Sequence, residues 1–184
     1  MTDNPKRLKQ TTVARSRLFR IDRIDLLFSN GEQRNFELIM GDRVGGVVVV
    51  PLLDRQRILL LKEYAAGADH YELGFVKGVI EADESAEQAA RRELREEAGY
   101  QAEQLTLLDE VTLMPAYSNF RSFIYLATGL SPAPAEGDEP EALEPLEWPT
   151  DDLAALHQRT DMTDARTHLA LHLVQQHLNQ TCLT

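Results

Sequence analysis

The sequence predicts an α/β or α+β fold, and three observations lead to this class. Segments with the alternating or β-branched pattern of strands recur between residues 17 and 130. Only two segments, around residues 85–98 and 164–178, have the apolar period of a long helix. No internal repeat or linker-like stretch divides the 184 residues, a length that favours one structural unit with a sizeable core.

The N-terminal region predicts a small antiparallel sheet. Its first ten residues are polar and basic, and we expect them to be disordered. Asn30-Gly31 is a strong signal for a hairpin turn. The strands carry little apolar mass, so residues 1–44 are expected to lean on the main domain, residues 45–180, or on a partner subunit. Short strands are predicted at 17–21, 25–28 and 35–39.

The main domain is expected to be built around one fully buried strand. Val44–Leu53 is an almost continuous apolar run rich in valine, which is typical of a strand covered on both faces. Further strands are predicted at 57–64, 105–113 and 121–130, a final helix at 164–178, and irregular glycine- or proline-rich segments at 67–78 and 131–149.

The clearest helix lies between Ser85 and Ala98. Ser85 and Gln88 form a capping box at its start, and Gly99 is a stop signal at its end. The stripe that includes Leu94 suits packing on a sheet.

One face of this helix carries three carboxylates. At about 100° per residue, Glu96 and Glu97 lie within roughly 60° of Glu93. Ala86 and Ala89 lie in the same arc and are expected to leave open space above the carboxylates. Carboxylates that converge on a space can ligate Mg²⁺ or Mn²⁺, which in turn implies a phosphate-containing substrate. The alternative is a solvated face, which is the usual role of glutamates on a helix.

Composition excludes several classes of protein. The net charge is −11, from 19 Lys and Arg against 30 Asp and Glu, which argues against nucleic acid as a partner. No apolar run approaches the roughly 20 residues that span a membrane. The single cysteine, Cys182, allows no disulfide within the chain, so a cytoplasmic location is expected.

The spacing around the carboxylate helix resembles the signature of the Nudix hydrolase family. Only Tyr100 departs from the pattern, at a position where an aliphatic residue is usual. The resemblance implies an α/β/α sandwich with a mixed sheet, in which the signature forms a loop, a helix and a second loop. The fixed signature positions are occupied by Gly78, Glu84, Arg92, Glu93, Glu96, Glu97 and Gly99.

The same resemblance implies roles for the carboxylates. Glu93 and Glu97 would be the main ligands of two or more Mg²⁺ ions, with Mn²⁺ as an alternative. Glu96 would serve a further metal ion or the attacking water, and the backbone carbonyl of Lys77 would complete the ligand set. For the catalytic base, the acidic segment at 131–149 offers Glu136, Asp138, Glu139 and Glu141, and Glu139 is favoured because it lies at the centre of the part that resembles the family. The alternative is that this segment is simply a solvated loop.

Several other residues take roles from the resemblance. Glu84 and Arg92 are expected to form a structural ion pair. Each of the three basic candidates for substrate binding could instead be an ordinary surface charge. The candidate substrate contacts are Glu72 beside the metal ions, Arg57, Lys62 and, from a partner subunit, Arg43.

Further segments resemble the ADP-compounds hydrolases of this family, which are related to ADP-ribose pyrophosphatases. This resemblance implies cleavage of the diphosphate linkage of ADP-ribose, diadenosine polyphosphates or NADH, with release of AMP. It also implies a homodimer whose N-terminal strands cross to the partner. The similar segments are 13–19, 28–31, 71–78, 137–141 and 147–149.

The sequence leaves the substrate open. Pro115 is typical of ADP-ribose enzymes and Tyr117 of dinucleoside-polyphosphate enzymes, so a mixed preference is expected. The alternative is that both belong to a turn that ends a strand. Two other functions remain open, a pyrophosphatase that removes damaged nucleoside triphosphates and a nucleotide sensor without catalysis.

Overall fold

The computed structural model describes residues 3–41, 45–137 and 139–181. These residues form an α+β structure of strands, three α-helices and a 3-10 turn at Thr150–Asp152. The strands are β1 (Lys6–Arg15), β2 (Arg20–Leu27), β3 (Gln33–Met40), β4 (Gly45–Asp54), β5 (Arg57–Ala65), β6 (His70–Gly74), β7 (Val76–Val79), β8 (Tyr100–Thr112), β9 (Arg121–Pro132) and β10 (Glu144–Pro149). The helices are α1 (Ala86–Ala98), α2 (Leu153–Leu156) and α3 (Ala165–Thr181).

The described residues form two compact units. The first unit combines the N-terminal residues up to Gly45 with residues 112–121, and the second contains residues 46–111 and those from 122 onwards. In the first unit, β1, β2 and β3 form a small antiparallel sheet, as predicted, but the separate strands predicted at 17–21 and 25–28 are wrong: residues 20–27 form the single strand β2, and residues 16–19 connect it to β1. Gly31 makes the β2–β3 turn with a φ of +84°, a conformation that glycine adopts without strain.

The expectation that the first ten residues are disordered is wrong for the part that β1 contains. Lys6–Arg15 pairs with β2 along its whole length. The side chains of Gln10 and Thr12 donate to the two carboxylate oxygens of Asp22, at 2.6 and 2.8 Å. Polar composition predicts disorder, but pairing with β2, the next strand in the chain, supplies partners that composition cannot show.

The second unit is a mixed sheet covered on both faces. The strand order is β10-β5-β4-β9-β8, with β6 paired to β5 and β7 paired to β4. Val48 and Val50 of β4 pack in a buried cluster with residues of α2 and α3, whereas Val47 and Val49 pack in a second cluster with residues of α1. The predicted α/β/α arrangement is therefore confirmed, with β4 buried on both faces.

Three strands lie in segments that were predicted to be irregular. β6 and β7 occupy the glycine-rich segment, and β10 occupies the end of the acidic one. β10 is an edge strand, which is where Pro145 and Pro149 can be accommodated without breaking the hydrogen-bond ladder. β7 and β10 pair with strands far from them in the chain, and β6 pairs with β5 in a hairpin whose signal the glycine-rich composition hides, so composition favours loops for all three.

Helix α1 has the predicted boundaries. The hydroxyl of Ser85 accepts from the N–H of Gln88, the reciprocal bond completes the capping box, and Gly99 closes the helix with a φ of +74°. Ala89 is fully buried in the apolar cluster beneath α1, so the expectation that it leaves open space is wrong. Within the described residues, no helix is both long and apolar enough to cross a membrane.

Candidate active site

Two of the three carboxylates on α1, those of Glu93 and Glu96, share one cation from their own helix. The Arg92 guanidinium donates through Nη1 to Glu93 Oε1 at 2.7 Å and to Glu96 Oε2 at 3.0 Å. Glu93 is 8% exposed, whereas Glu96 and Glu97 are partly exposed. The convergence on one helical face that the spacing predicts is therefore present.

Arg92 is itself held by the loop that precedes the helix. Its Nε and Nη2 donate to the two oxygens of Glu84, both at 3.0 Å, and Nη2 also donates to the carbonyl of Val79 at 3.0 Å. The predicted Glu84–Arg92 ion pair is confirmed, and it is bidentate, the geometry that best fixes a guanidinium. The pair ties the loop to the helix at the carboxylate face.

Strand β7 positions both glutamates that are predicted to be the main metal ligands. A Cβ on Gly78 would lie 1.7 Å from Glu93 Oε1, so only glycine leaves room for this carboxylate against the strand. One residue earlier, the backbone N–H of Lys77 donates to Glu97 Oε2 at 3.0 Å. The signature glycine is therefore required by side-chain packing, and the strand holds Glu97 through its backbone.

Burial and neighbouring carboxylates raise the pKa of both Glu93 and Glu97. Burial raises the pKa of Glu93 to about 7, although Arg92 acts in the opposite direction. Burial likewise raises the pKa of Glu97 to about 8, although the Lys77 N–H opposes it. Nearby carboxylates raise the two values further: Glu96 and Glu139 act on Glu93, and Glu93, Glu63 and Glu139 act on Glu97.

The donor chemistry of this cluster fits a hard divalent cation. Carboxylate oxygens are the ligands that Mg²⁺ and Mn²⁺ prefer, and the cluster has excess negative charge in a partly desolvated position. In the part of the chain that the structure describes, no three His, Cys, Asp or Glu side chains meet in the geometry of a metal site. The present orientation of the carboxylates is set instead by Arg92 and by the backbone of β7.

The acidic loop, residues 133–143 between β9 and β10, faces the carboxylate helix across a cavity. This cavity has a volume of about 490 Å³. Glu139 and two helix carboxylates therefore line the same open cavity, whereas Asp138 lies outside the described residues. The lining residues are Glu96, Glu97, Gly137, Glu139, Pro140, Glu141, Ala142 and Leu143.

The acidic loop is attached to the end of α1 by two backbone hydrogen bonds. Ala133 N–H donates to the carbonyl of Gly99 at 2.8 Å, and Ala135 N–H donates to the carbonyl of Arg95 at 3.2 Å. The Arg95 carbonyl also accepts from the Gly99 N–H, so the loop adds a second donor there, whereas at Gly99 it supplies a donor to a carbonyl just beyond the helix. The first part of the loop is thereby placed beside the carboxylate face.

Glu72 is engaged by protein donors. Its carboxylate accepts from Thr163 Oγ1, from Thr163 N–H at 2.8 Å and from His70 Nε2 at 2.6 Å. Burial acts to raise the pKa of Glu72, but the bonds from Thr163 and His70 outweigh it and the pKa lies below its usual value. The structure therefore places this predicted substrate contact in a hydrogen-bonded position on β6.

The predicted basic contacts lie in different surroundings. The Arg57 guanidinium pairs with Asp54 and Glu147 at 2.6 and 2.5 Å, in an exposed group of charges. The Lys62 ammonium lies 5.8 Å from the centre of the Tyr71 ring. Arg43 lies outside the described residues. Their roles as phosphate contacts stay predictions.

Glu63 and Tyr71 belong to the surroundings of the cluster and were not identified from the sequence. Glu63 raises the pKa of Glu97, and its Oε2 lies 3.8 Å from the Lys77 ammonium. The Tyr71 hydroxyl donates to Glu141 in the acidic loop. Both residues depend on the pairing of β5 with β6, so a signal for that hairpin would have been needed to find them.

The segment that was predicted to influence substrate choice is a turn in the first unit. The N–H groups of Tyr117 and Ser118 both donate to the carbonyl of Met114, at 2.8 Å, and Ile39 N–H donates to the carbonyl of Tyr117 at 2.7 Å. The Tyr117 side chain is 64% exposed. The strand-ending turn that the sequence left as an alternative is present, and a role in substrate choice stays a prediction.

Comparison with known proteins identifies the family. The NUDIX domain matches residues 42–171, and the NudE-type Nudix hydrolase N-terminal domain matches residues 5–37. The chain is 42% identical to the ADP compounds hydrolase NudE of Escherichia coli (strain K12), over 95% of this chain and 93% of that protein. It is 29% identical to the ADP-ribose pyrophosphatase of Bacillus subtilis (strain 168), over 92% of this chain and 95% of that protein.

A solved structure agrees with these sequence relatives. The crystal structure of an ADP compounds hydrolase superposes with a TM-score of 0.91 at 41% identity, and the match covers 98% of this chain and 97% of that one. The predicted sandwich fold and the family resemblance are both confirmed. This chain belongs to the Nudix family of hydrolases and carries a NudE-type N-terminal domain.

Proposed function

We propose that this Nudix hydrolase cleaves the diphosphate linkage of ADP-containing compounds and releases AMP, with Mg²⁺ or Mn²⁺ as its cofactor. The observation that carries the proposal is the charge imbalance on α1. Glu93 and Glu97, whose pKa values are raised to about 7 and about 8, require a cation to be fully ionised together at neutral pH. A cation held there would attract a phosphate-containing substrate to a protein with net charge −11.

The proposed ligand set is made of oxygen atoms from α1 and β7. Glu93, Glu96 and Glu97 would hold two or more ions together with the backbone carbonyl of Lys77. When bound, such ions neutralise the charge that develops on a diphosphate and on its leaving phosphate. Arg92 would release at least one of its two bonds within the cluster, to Glu93 or Glu96, while its bidentate pair with Glu84 keeps it in place.

The chain's own residues would then activate water. Glu139 lines the same cavity as Glu96 and Glu97, so we assign it the task of orienting and deprotonating the attacking water, with Glu96 assisting. The leaving group is a phosphate ester, so the reaction requires no strong acid from the protein.

The substrate class rests on similarity to relatives that are named for ADP compounds and for ADP-ribose. We propose ADP-ribose, diadenosine polyphosphates and NADH as candidates. Among the predicted basic contacts we favour Lys62, because its ammonium lies over the ring of Tyr71, whose hydroxyl donates to Glu141 of the acidic loop. The other proposed substrate contacts are Arg57, Glu72 and Arg43. Substitution of each residue would test its role.

We infer that the enzyme acts as a homodimer formed through its N-terminal sheet. Every residue of β1 is exposed, and apolar side chains of the first unit, among them Leu18, Phe19 and Phe36, are exposed too. A second copy would cover such a surface. Light scattering on the purified protein would measure the mass, and a monomer would contradict this inference.

A chain with one cysteine, Cys182, suits the cytoplasm, where we place the enzyme.

The function is tested by product analysis. Purified protein is incubated with Mg²⁺ and, separately, with ADP-ribose, NADH and diadenosine triphosphate, and the products are separated by chromatography. We expect AMP from at least one substrate, no AMP with a chelator, and almost none from Glu97→Gln. Glu87→Gln is the matched control, because Glu87 lies on the same helix but is exposed and pairs with Arg91.

The other outcomes identify other functions. Release of pyrophosphate and a nucleoside monophosphate from a triphosphate, with none of the three ADP compounds cleaved, would indicate a triphosphate pyrophosphatase. Tight binding without turnover, in a protein that also binds Mg²⁺, would indicate a sensor. Either result would overturn the proposed function.

A further inference from the structure

We propose that Tyr71 is a positioning residue whose hydroxyl group holds the acidic loop in place, so that Glu139 stays beside the carboxylates of α1. The inference rests on the proposed function, because it assumes that Glu139 acts on the attacking water. Tyr71 lies on β6, and its hydroxyl donates to Glu141 Oε1 at 2.7 Å. Glu141 lines the same cavity as Glu139 and is two residues away from it in the chain.

The Tyr71 ring is well placed to act as a fixed support. Tyr71 pairs with Tyr64 across β5 and β6, and their rings pack edge to face with centres 5.5 Å apart. The Lys62 ammonium lies over the Tyr71 ring at 5.8 Å. Two paired strands and two neighbouring side chains therefore determine where the hydroxyl group lies. The hydrogen bond to Glu141 raises the pKa of the phenol, so the hydroxyl remains a donor at neutral pH.

The acidic loop has attachments on both sides of Glu139. On the N-terminal side, Ala133 and Ala135 donate to backbone carbonyls at the end of α1. On the C-terminal side, Glu141 accepts from Tyr71, and β10 then begins at Glu144. Glu139 lies between these attachments, four residues after Ala135 and two before Glu141.

The acidic loop requires an attachment on the C-terminal side of Glu139, because repulsion between Glu139 and the carboxylates of α1 pushes the loop away from the helix. The Glu139 side chain lines the same cavity as the carboxylates of Glu96 and Glu97. Like charges repel, and in a partly buried cavity the repulsion is weakly screened. The hydrogen bond from Tyr71 opposes this repulsion without adding a positive charge to the site.

The test compares two tyrosines that differ in the partner of their hydroxyl groups. Tyr71→Phe keeps the ring and removes the bond to Glu141, and we expect kcat to fall roughly three- to tenfold with a change in KM of less than about twofold. Tyr64→Phe is the matched control, because its hydroxyl donates to Asp69 outside the acidic loop, and it is expected to keep the wild-type kcat. Amide hydrogen exchange of residues 133–143 should become faster in Tyr71→Phe and should keep its wild-type rate in Tyr64→Phe.

A double-mutant cycle separates this role from a general effect on stability. If the bond to Glu141 carries the effect, Glu141→Ala lowers kcat, and the double variant Tyr71→Phe/Glu141→Ala is no slower than the slower single variant. Effects that multiply in the double variant, or unchanged kcat and exchange in Tyr71→Phe, would overturn the proposal. If the wild-type protein releases no AMP, the proposed function fails, and hydrogen exchange still decides whether Tyr71 holds the loop.

Discussion

Two glutamates of the second unit, the buried Glu72 and the partly exposed Glu97, meet opposite surroundings. Glu72 on β6 is 5% exposed and accepts three hydrogen bonds, two from Thr163 and one from His70. Glu97 on α1 accepts from the backbone N–H of Lys77 and is surrounded by other carboxylates. The pKa of Glu72 lies below its usual value, whereas that of Glu97 is raised to about 8.

The difference shows that burial alone does not create a reactive carboxylate. Burial acts to raise the pKa of both residues, and the sign of the result is decided by the donors and charges around each one. At Glu72 the protein supplies the donors, so the carboxylate is stable as an anion. At Glu97 the negative charge is left unbalanced, so this region is the one that can use a cation.

The largest expected effects come from exchanging each glutamate for glutamine. Glu97→Gln should lower kcat by about 10³-fold or more, because it removes a proposed metal ligand, which contributes several kcal/mol to transition-state stabilisation. Glu72→Gln should instead destabilise the fold by about 2 kcal/mol, because a charged acceptor with three donors is lost. Steady-state kinetics and denaturant unfolding measure the two quantities.

The same two variants can also show that the contrast between Glu72 and Glu97 is wrong. A kcat in Glu72→Gln as low as in Glu97→Gln, with unchanged unfolding free energy, would show that Glu72 acts directly in the reaction. In that case the hydrogen bonds from Thr163 and His70 would be exchanged for contacts with metal or substrate during turnover.

A smaller effect is expected from Gly78→Ala. The added Cβ would lie 1.7 Å from Glu93 Oε1, so the carboxylate has to move, and displacement of a catalytic group by about 1 Å can cost about 10²-fold in rate. Gly67→Ala is the matched control, because a Cβ there meets no atom within 4 Å. Kinetics of both variants decide the matter, and a fully active Gly78→Ala would show that Glu93 tolerates another position.

Glu139→Gln tests whether the acidic loop contributes to catalysis separately from the carboxylates of α1. Loss of the proposed base should lower kcat roughly 10²-fold while Mg²⁺ binding is retained, because the helix carboxylates are intact. Glu136→Gln serves as the control: Glu136 belongs to the same loop but is exposed and does not line the cavity. A near-normal kcat for Glu139→Gln with normal metal binding would remove Glu139 from the mechanism.

The smallest effect concerns the stability of the metal-free protein at different pH values. The pKa of Glu97 is about 8 in the folded chain against an ordinary value of 4.5, so the folded state holds a proton that the unfolded state has lost between these values. The free energy of unfolding should therefore fall as pH rises from about 5 to 8 and level off above. We expect the Tm to drop by roughly 5 °C over that range.

Two controls isolate this contribution. Glu97→Gln should show a shallower decline of Tm, since Glu93, with a pKa raised to about 7, then acts alone. Mg²⁺ should raise the Tm of the wild-type protein more at pH 9 than at pH 6, because binding competes with protons. If the Tm of the metal-free wild-type protein rose with pH up to 8, this result would contradict the proposed charge imbalance.

Local signals predicted some elements well and non-local pairing decided the others. Helix α1 was predicted from Ser85 to Gly99 because its caps lie next to it in the chain. The buried strand β4 was predicted from its run of valines. In contrast, the sequence predicts disorder for the first ten residues and an irregular segment at 131–149, yet β1 pairs with the next strand, β2, and β10 pairs with β5, which lies far from it in the chain.

The candidate site divides in the same way. The sequence by itself determined that three carboxylates share a face of α1 and that Glu84 pairs with Arg92, because helix geometry and the family spacing set both. Only the tertiary structure decided that Glu139 shares their cavity, that Glu72 has three donors of its own, and that Tyr71 holds the acidic loop. These contacts join strands and loops far apart in the chain, and the energies that select them arise only when the sheet has formed.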